Sequence, residues 1–127
     1  MPSKVHLLAP WLLALLVTVS WLGLLAHNYV ESVDGSTIAI GLVSVGLFLG
    51  WWRIPSRRHA LDRLLLAMGL IQLVGAAVTV VPFNFLPFAP SQTLDHYLVH
   101  VLYGVSQLPL TGAMITQLRK NSGKLQA

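Results

Sequence analysis

The sequence predicts an all-α integral membrane protein, with four transmembrane helices in an antiparallel bundle and both the N- and C-termini cytoplasmic. Three observations lead there. Only 9% of residues are charged and 55% are hydrophobic, where a soluble domain carries about a quarter charged residues. Four apolar runs are long enough to be read as spans. All eight Lys and Arg residues fall on one side once the chain is threaded through a bilayer four times, as the positive-inside rule requires.

The chain reads as a single domain, residues 1–127, with spans at about 7–26, 37–52, 60–81 and 93–118. The first run, Leu7 to Ala26, follows Lys4 and is 20 residues long. That exceeds a signal-peptide core, and Leu24 to Ala26 is a poor small-x-small cleavage site, so a retained span is expected. Pro10 fits its first turn, where the missing amide would be unpaired in any case. The second run, Thr37 to Trp52, has only 16 residues. At 1.5 Å per residue it covers ~24 Å against ~30 Å of hydrocarbon, so Trp51 and Trp52 must anchor it at the interface or neighbours must shield it. The third run starts at Ala60 and ends before Pro82, and the fourth follows Pro90 with Ser91 or Thr93 as N-cap.

This threading makes Lys4, Arg53, Arg57, Arg58, Arg63, Arg119, Lys120 and Lys124 cytoplasmic and leaves Glu31, Asp34 and Asp95 outside. Trp11, Trp51 and Trp52 then mark the inner interface, and Tyr29 and Tyr97 the outer one. A prokaryotic cytoplasmic membrane is the expected location. The pI near 10.0 is explained by these flanking cations, and no nucleic-acid partner is expected.

Small residues suggest where helices touch, because close backbone approach drives packing inside lipid. Candidates are Gly46-x-x-x-Gly50, Thr37-x-x-x-Gly41, Gly69, Gly75, Ala76 and Ala77. Pro82 to Pro90, PFNFLPFAP, cannot be helical with three prolines and is too apolar for a solvated loop. It is expected to lie in the outer interface or against a partner subunit.

The fourth run carries a polar stripe. At 100° per residue, with His96 as zero, His100, Tyr103, Gln107, Thr111 and Met114 fall between about −20° and about 60°. Polar groups in a membrane helix face protein or a cavity, so this face is expected to point inward. Pro109 leaves the Val105 carbonyl without its helical donor. Gln72 and Gln107 should lie at similar depth and within hydrogen-bonding reach, worth about 0.6 kcal/mol between helices. Ser20, His27 and Glu31 share a face of the first span if its helix continues past Asn28.

His27, His96 and His100, with Glu31 and Asp95 near them, form a candidate metal site. An i, i+4 histidine pair can chelate from one helix face, and His27 with Glu31 could complete a set for Cu or Zn. Haem b held by His27 and His100 fits less well, because the outer face has no Lys or Arg to meet its propionates. Tyr103, Gln107 and Gln72 are the candidates for a groove holding a quinone-like or lipid molecule. His6 and His59 read as interfacial residues, and Asp62 as a local ion pair with Arg63.

There is no cysteine, and hence no thiol chemistry. No serine-nucleophile motif, phosphate loop or carboxylate pair within a span is found. Catalysis is therefore not expected. The leading functional expectation is a non-catalytic accessory or structural subunit of a larger membrane complex, contacting lipid all round and other subunits through residues 82–90 and the Gly-rich helix faces. The alternative is a ligand-binding membrane protein with the outer-face histidine metal site, or a haem or quinone site.

Overall fold

The computed structural model describes residues 8–31 and 35–123. Lys4, His6, Leu7, Asp34 and Lys124 lie outside the described residues, as does the side chain of Glu31. Four α-helices follow in order: α1 (Pro10–Glu31), α2 (Gly35–Arg53), α3 (Arg58–Val78) and α4 (Leu94–Ser122), with a 3-10 turn at Pro55–Arg57 between α2 and α3. Each of the four is long and apolar enough to cross a membrane. Large apolar residues such as Leu42, Ile71 and Val101 are well exposed, which is compatible with contact with lipid.

The helix boundaries follow local chemistry. Pro10 opens α1, as its missing amide allows. The helix then runs through Asn28 to Glu31, so His27 stays in regular geometry. α2 has 19 residues, or ~28 Å at 1.5 Å per residue. It is longer than its apolar run because Gly35, Ser36 and Arg53 are helical although polar or small. Thr93 is the N-cap of α4, its hydroxyl accepting from His96 N at 3.3 Å. α4 continues through Pro109 for 29 residues. Residues 82–90 are turns, bends and coil without helix, and Phe83 and Phe85 stack at 5.0 Å.

α4 makes the most extensive contacts, against α3 and α1, while α2 packs more lightly on α1 and α3. One apolar cluster joins Leu13, Val17, Trp51, Leu65, Leu110 and Met114; a second joins Leu24, Ala76 and Tyr103. Close approach uses some of the expected small residues. A Cβ on Gly41 would stand 2.7 Å from Trp21 Nε1, and one on Gly69 2.7 Å from Thr111 Oγ1. Gly46 and Gly75 instead face open space, so the Gly46-x-x-x-Gly50 spacing makes no tight crossing at its first residue. The tightest position is Gly23, where a Cβ would fall 1.7 Å from Ser106 Oγ.

Candidate functional site

The polar stripe of α4 is buried along its length: His96, His100, Tyr103, Gln107, Thr111 and Met114 are all at most 7% exposed. Its partners divide into a seam halfway along the helices and a cluster where α1 and α3 finish and α2 and α4 begin.

At the seam, the Ser20 hydroxyl donates to Gln107 Oε1. Gln107 Nε2 donates to Ser20 O at 2.9 Å, and Gln72 Nε2 reaches Ser20 Oγ at 3.4 Å. The two glutamines do lie at one depth, but Ser20 stands between them, so their contact is bridged rather than direct. Gln72 Oε1 and Thr111 Oγ1 are buried without a hydrogen-bond partner among the described residues. Gln107 is fully buried and Tyr103 and Gln72 nearly so. These three side chains therefore line no open groove in this arrangement. A cavity of about 360 Å³ opens between α3 and α4 beside Ala76, Ala77, His100 and Gly104.

At the cluster, His27 and His100 meet directly, Nε2 to Nε2 at 2.9 Å. His100 Nδ1 donates to the carbonyl of Ala76 on α3 at 2.8 Å. His27 Nδ1 lies 2.7 Å from Asn28 Oδ1, while the Asn28 amide nitrogen donates to Thr37 Oγ1 on α2. Trp21 Nε1 donates to Thr37 O at 3.1 Å. Thus Asn28 and Thr37, absent from the sequence-based site, extend the histidine contact to all four helices. The His96 ring centre is 4.4 Å from that of His100 and 6.4 Å from that of His27; the Tyr103 ring is 5.4 Å from His27. Asp95 is exposed on α4.

Among the described residues, no three His, Cys, Asp or Glu side chains are gathered as a ready metal-ligand set. Two imidazole nitrogens on one tetrahedral ion stand about 3.3 Å apart, from bonds of about 2.05 Å. The 2.9 Å contact is tighter, so an ion needs the pair to open slightly and His96 to swing in. A haem fits worse, because axial ligands lie on opposite faces of the iron and the closed His27–His100 contact leaves no slot for a porphyrin.

At the other end, Trp51 is buried and its indole Nε1 donates to Asp62 Oδ1 at 2.8 Å. Arg58 Nε donates to Trp51 O at 3.0 Å, and its guanidinium lies 4.6 Å from the Trp51 ring centre. Asp62 is thus held by a tryptophan across the α2–α3 turn, with Arg58 and His59 nearby, rather than by a local pair with Arg63.

The chain matches no protein-family model, no curated protein and no solved structure.

Proposed function

We propose that this chain is a non-catalytic membrane protein that works by binding a cation between His27 and His100. In this reading its helices form an antiparallel bundle with both termini cytoplasmic, in a prokaryotic cytoplasmic membrane, and the histidine cluster is the outer end. The observation that carries the reading is the pair of facing Nε2 atoms at 2.9 Å, each ring already held through its Nδ1. Preorganised rings whose remaining nitrogens point at each other favour a positive centre placed between them. The absence of Lys and Arg from residues 26–37 and 82–100 removes competing cations. Zn²⁺ or copper is the metal class that imidazole suits, with His96 as the additional nitrogen and Glu31, one turn beyond His27, as a carboxylate within the same helix face.

Metal analysis and an optical spectrum of the purified full chain test this. One equivalent of zinc or copper in the wild type, lost in His100→Ala and His27→Ala, supports the metal reading; a metal-free protein that also fails to take up either ion in titration defeats it. Orientation has a separate test, clean because the chain has no cysteine. A cysteine at Ser36 should react with an impermeant maleimide in intact cells and one at Ser56 should not, and the reverse result overturns the topology.

A second reading, an accessory subunit of a larger membrane complex, rests on residues 82–90. Phe83, Phe85 and Phe88 are exposed there on a segment without helix, a surface that suits docking on another subunit. Stoichiometric co-purification with larger subunits, lost when the three phenylalanines are replaced by serine, is its expected signature.

A further inference from the structure

The grooves between neighbouring helices differ in the polar groups they leave unmatched. In the α1–α2 groove, of about 290 Å³, the polar side chains are already engaged. Thr18 and Ser44 return their hydroxyl hydrogens to carbonyls of their own helices, and Trp21 gives its indole hydrogen to Thr37 O. Another groove, of about 340 Å³, runs between the start of α1 and the last turns of α4. Leu8, Leu12 and Ala113 form its apolar walls, while Gln117 and Lys120 line its end. Gln117 is 5% exposed and makes no hydrogen bond with any described residue. An amide buried beside apolar walls without a partner costs free energy, so this one calls for a polar group inside the groove.

Charge at the mouth of the groove is unmatched as well. Lys120 stands there, with Arg119 next to it in the last turn of α4. Neither cation meets a carboxylate among the described residues: Asp62 is buried against Trp51, and Asp95 and Glu31 sit at the opposite ends of α4 and α1. Along α4 the groove reaches from Lys120 back to Gly112, which is ~12 Å at 1.5 Å per residue. A Cβ on Gly112 would meet nothing within 4 Å, so the floor is open there.

We propose that the α1–α4 groove holds one anionic phospholipid, with its phosphate at Lys120 and Arg119, an ester carbonyl accepting from the Gln117 amide, and one acyl chain lying over Gly112. The chemistry along the groove follows the order of the lipid. A cation meets the headgroup, an amide donor one turn further in meets the ester layer, and an apolar stretch meets the chain. Basic pockets between membrane helices suit anionic headgroups in this way. The volume is at the low end for a ligand pocket, and a helix about 10 Å across does not enter it. This site is independent of the histidine cluster, which lies at the other end of α4.

Native mass spectrometry of the full chain in mild detergent, titrated with phosphatidylglycerol or phosphatidylcholine, tests the proposal. One phosphatidylglycerol per chain is expected, bound about tenfold more tightly than phosphatidylcholine. Equal binding of the two lipids, or binding of neither, overturns it. Lys120→Gln should weaken phosphatidylglycerol about fivefold and leave phosphatidylcholine unchanged. Gly112→Leu should abolish binding by filling the floor of the groove; because a Cβ there touches nothing, the variant should keep its helix content and melting temperature. A folded Gly112→Leu that binds the lipid as wild type does would sink the site. Arg53→Gln removes a charge at the end of α2, outside the groove, and should change nothing. A loss there equal to that of Lys120→Gln would reduce the effect to overall charge and defeat the proposal. Inorganic phosphate in excess separates a lipid from a free anion: lipid retained supports the groove, and lipid displaced overturns it.

Discussion

The two ends of the helices are both polar, and they handle charge in opposite ways. Around Trp51, charges of both signs are built in: Asp62 is 1% exposed, takes the indole hydrogen at 2.8 Å and has Arg58 and His59 beside it. Around His27, the bonded side chains and carbonyl are His27, His100, Asn28, Thr37 and Ala76 O, none of them permanently charged. At the first end the charges belong to the chain's own side chains, and the bonds of Trp51 to Asp62 and Arg58 tie the α2–α3 hairpin together. In the proposed reading the second takes its charge from the cation that binds, so its state would change with conditions. A lock and a site are thereby distinguished by whether the counter-charge belongs to the chain.

The sharpest break of that contrast is expected at Trp51. Trp51→Ala empties a buried site and leaves Asp62 without its donor, at a cost of about 3–5 kcal/mol for the lost packing. Trp51→Phe retains the ring under Arg58 and removes only the indole N–H, costing about 1–3 kcal/mol for a buried acceptor left unmet. Unfolding in detergent measured on both variants, with Asp62→Asn as a companion, checks the order. If Trp51→Phe is as stable as wild type, the lock is packing and not the hydrogen bond. His27→Ala, by contrast, should abolish the cation site with a smaller loss of stability than Trp51→Ala.

The join between the ends offers a second break. At Gly23 an added methyl would collide with Ser106 Oγ at 1.7 Å and Ser106 Cβ at 2.5 Å, forcing α1 away from α4. Gly23→Ala is expected to cost about 1–3 kcal/mol as overpacking and to widen the His27–His100 contact that α1 and α4 share. Pairing it with Ser106→Gly should restore most of the stability. Failure of the pair to recover would show that α1 and α4 are not held at this crossing.

What the sequence made legible was whatever repeats. Apolar runs of helix length marked four spans, and the 3.6-residue period put His96, His100, Tyr103, Gln107 and Thr111 on one face, which is buried. Single events left no such trace. Gly23 is one glycine in a leucine-rich run, and only its facing residue on α4 makes it the tightest contact. Gly46 and Gly75 have a promising spacing or composition yet meet nothing, because spacing within a helix does not say which face finds a neighbour. Asn28 reads in sequence as a possible end of α1, yet the helix runs through it, and its bond to Thr37 depends on how α2 returns. Asp62 adjoins Arg63 in sequence, but its hydrogen-bond donor, Trp51, comes from the other side of a turn. Partners across helices are set by packing, which a single sequence does not write out.

The smallest expected effect concerns the two glutamines of the seam, and it tests whether the middle of the molecule behaves like either end. Gln107 bonds Ser20 through both ends of its amide, accepting from the hydroxyl and donating to the carbonyl at 2.9 Å. Gln72 contributes one long bond of 3.4 Å to the same hydroxyl and buries Oε1 without a partner among the described residues. A buried polar atom that finds no partner costs free energy, and removing it together with its weak companion bond is close to neutral. Gln107→Leu should therefore cost about 1–2 kcal/mol, since it strands the Ser20 hydroxyl, while Gln72→Leu should stay within about 0.5 kcal/mol of wild type or above it. Thermal unfolding of both variants in one lipid or detergent reads the difference. A Gln72→Leu variant as damaged as Gln107→Leu would mean that Oε1 is satisfied, by a buried water or a bound ligand, and that the seam belongs with the proposed site rather than with the lock.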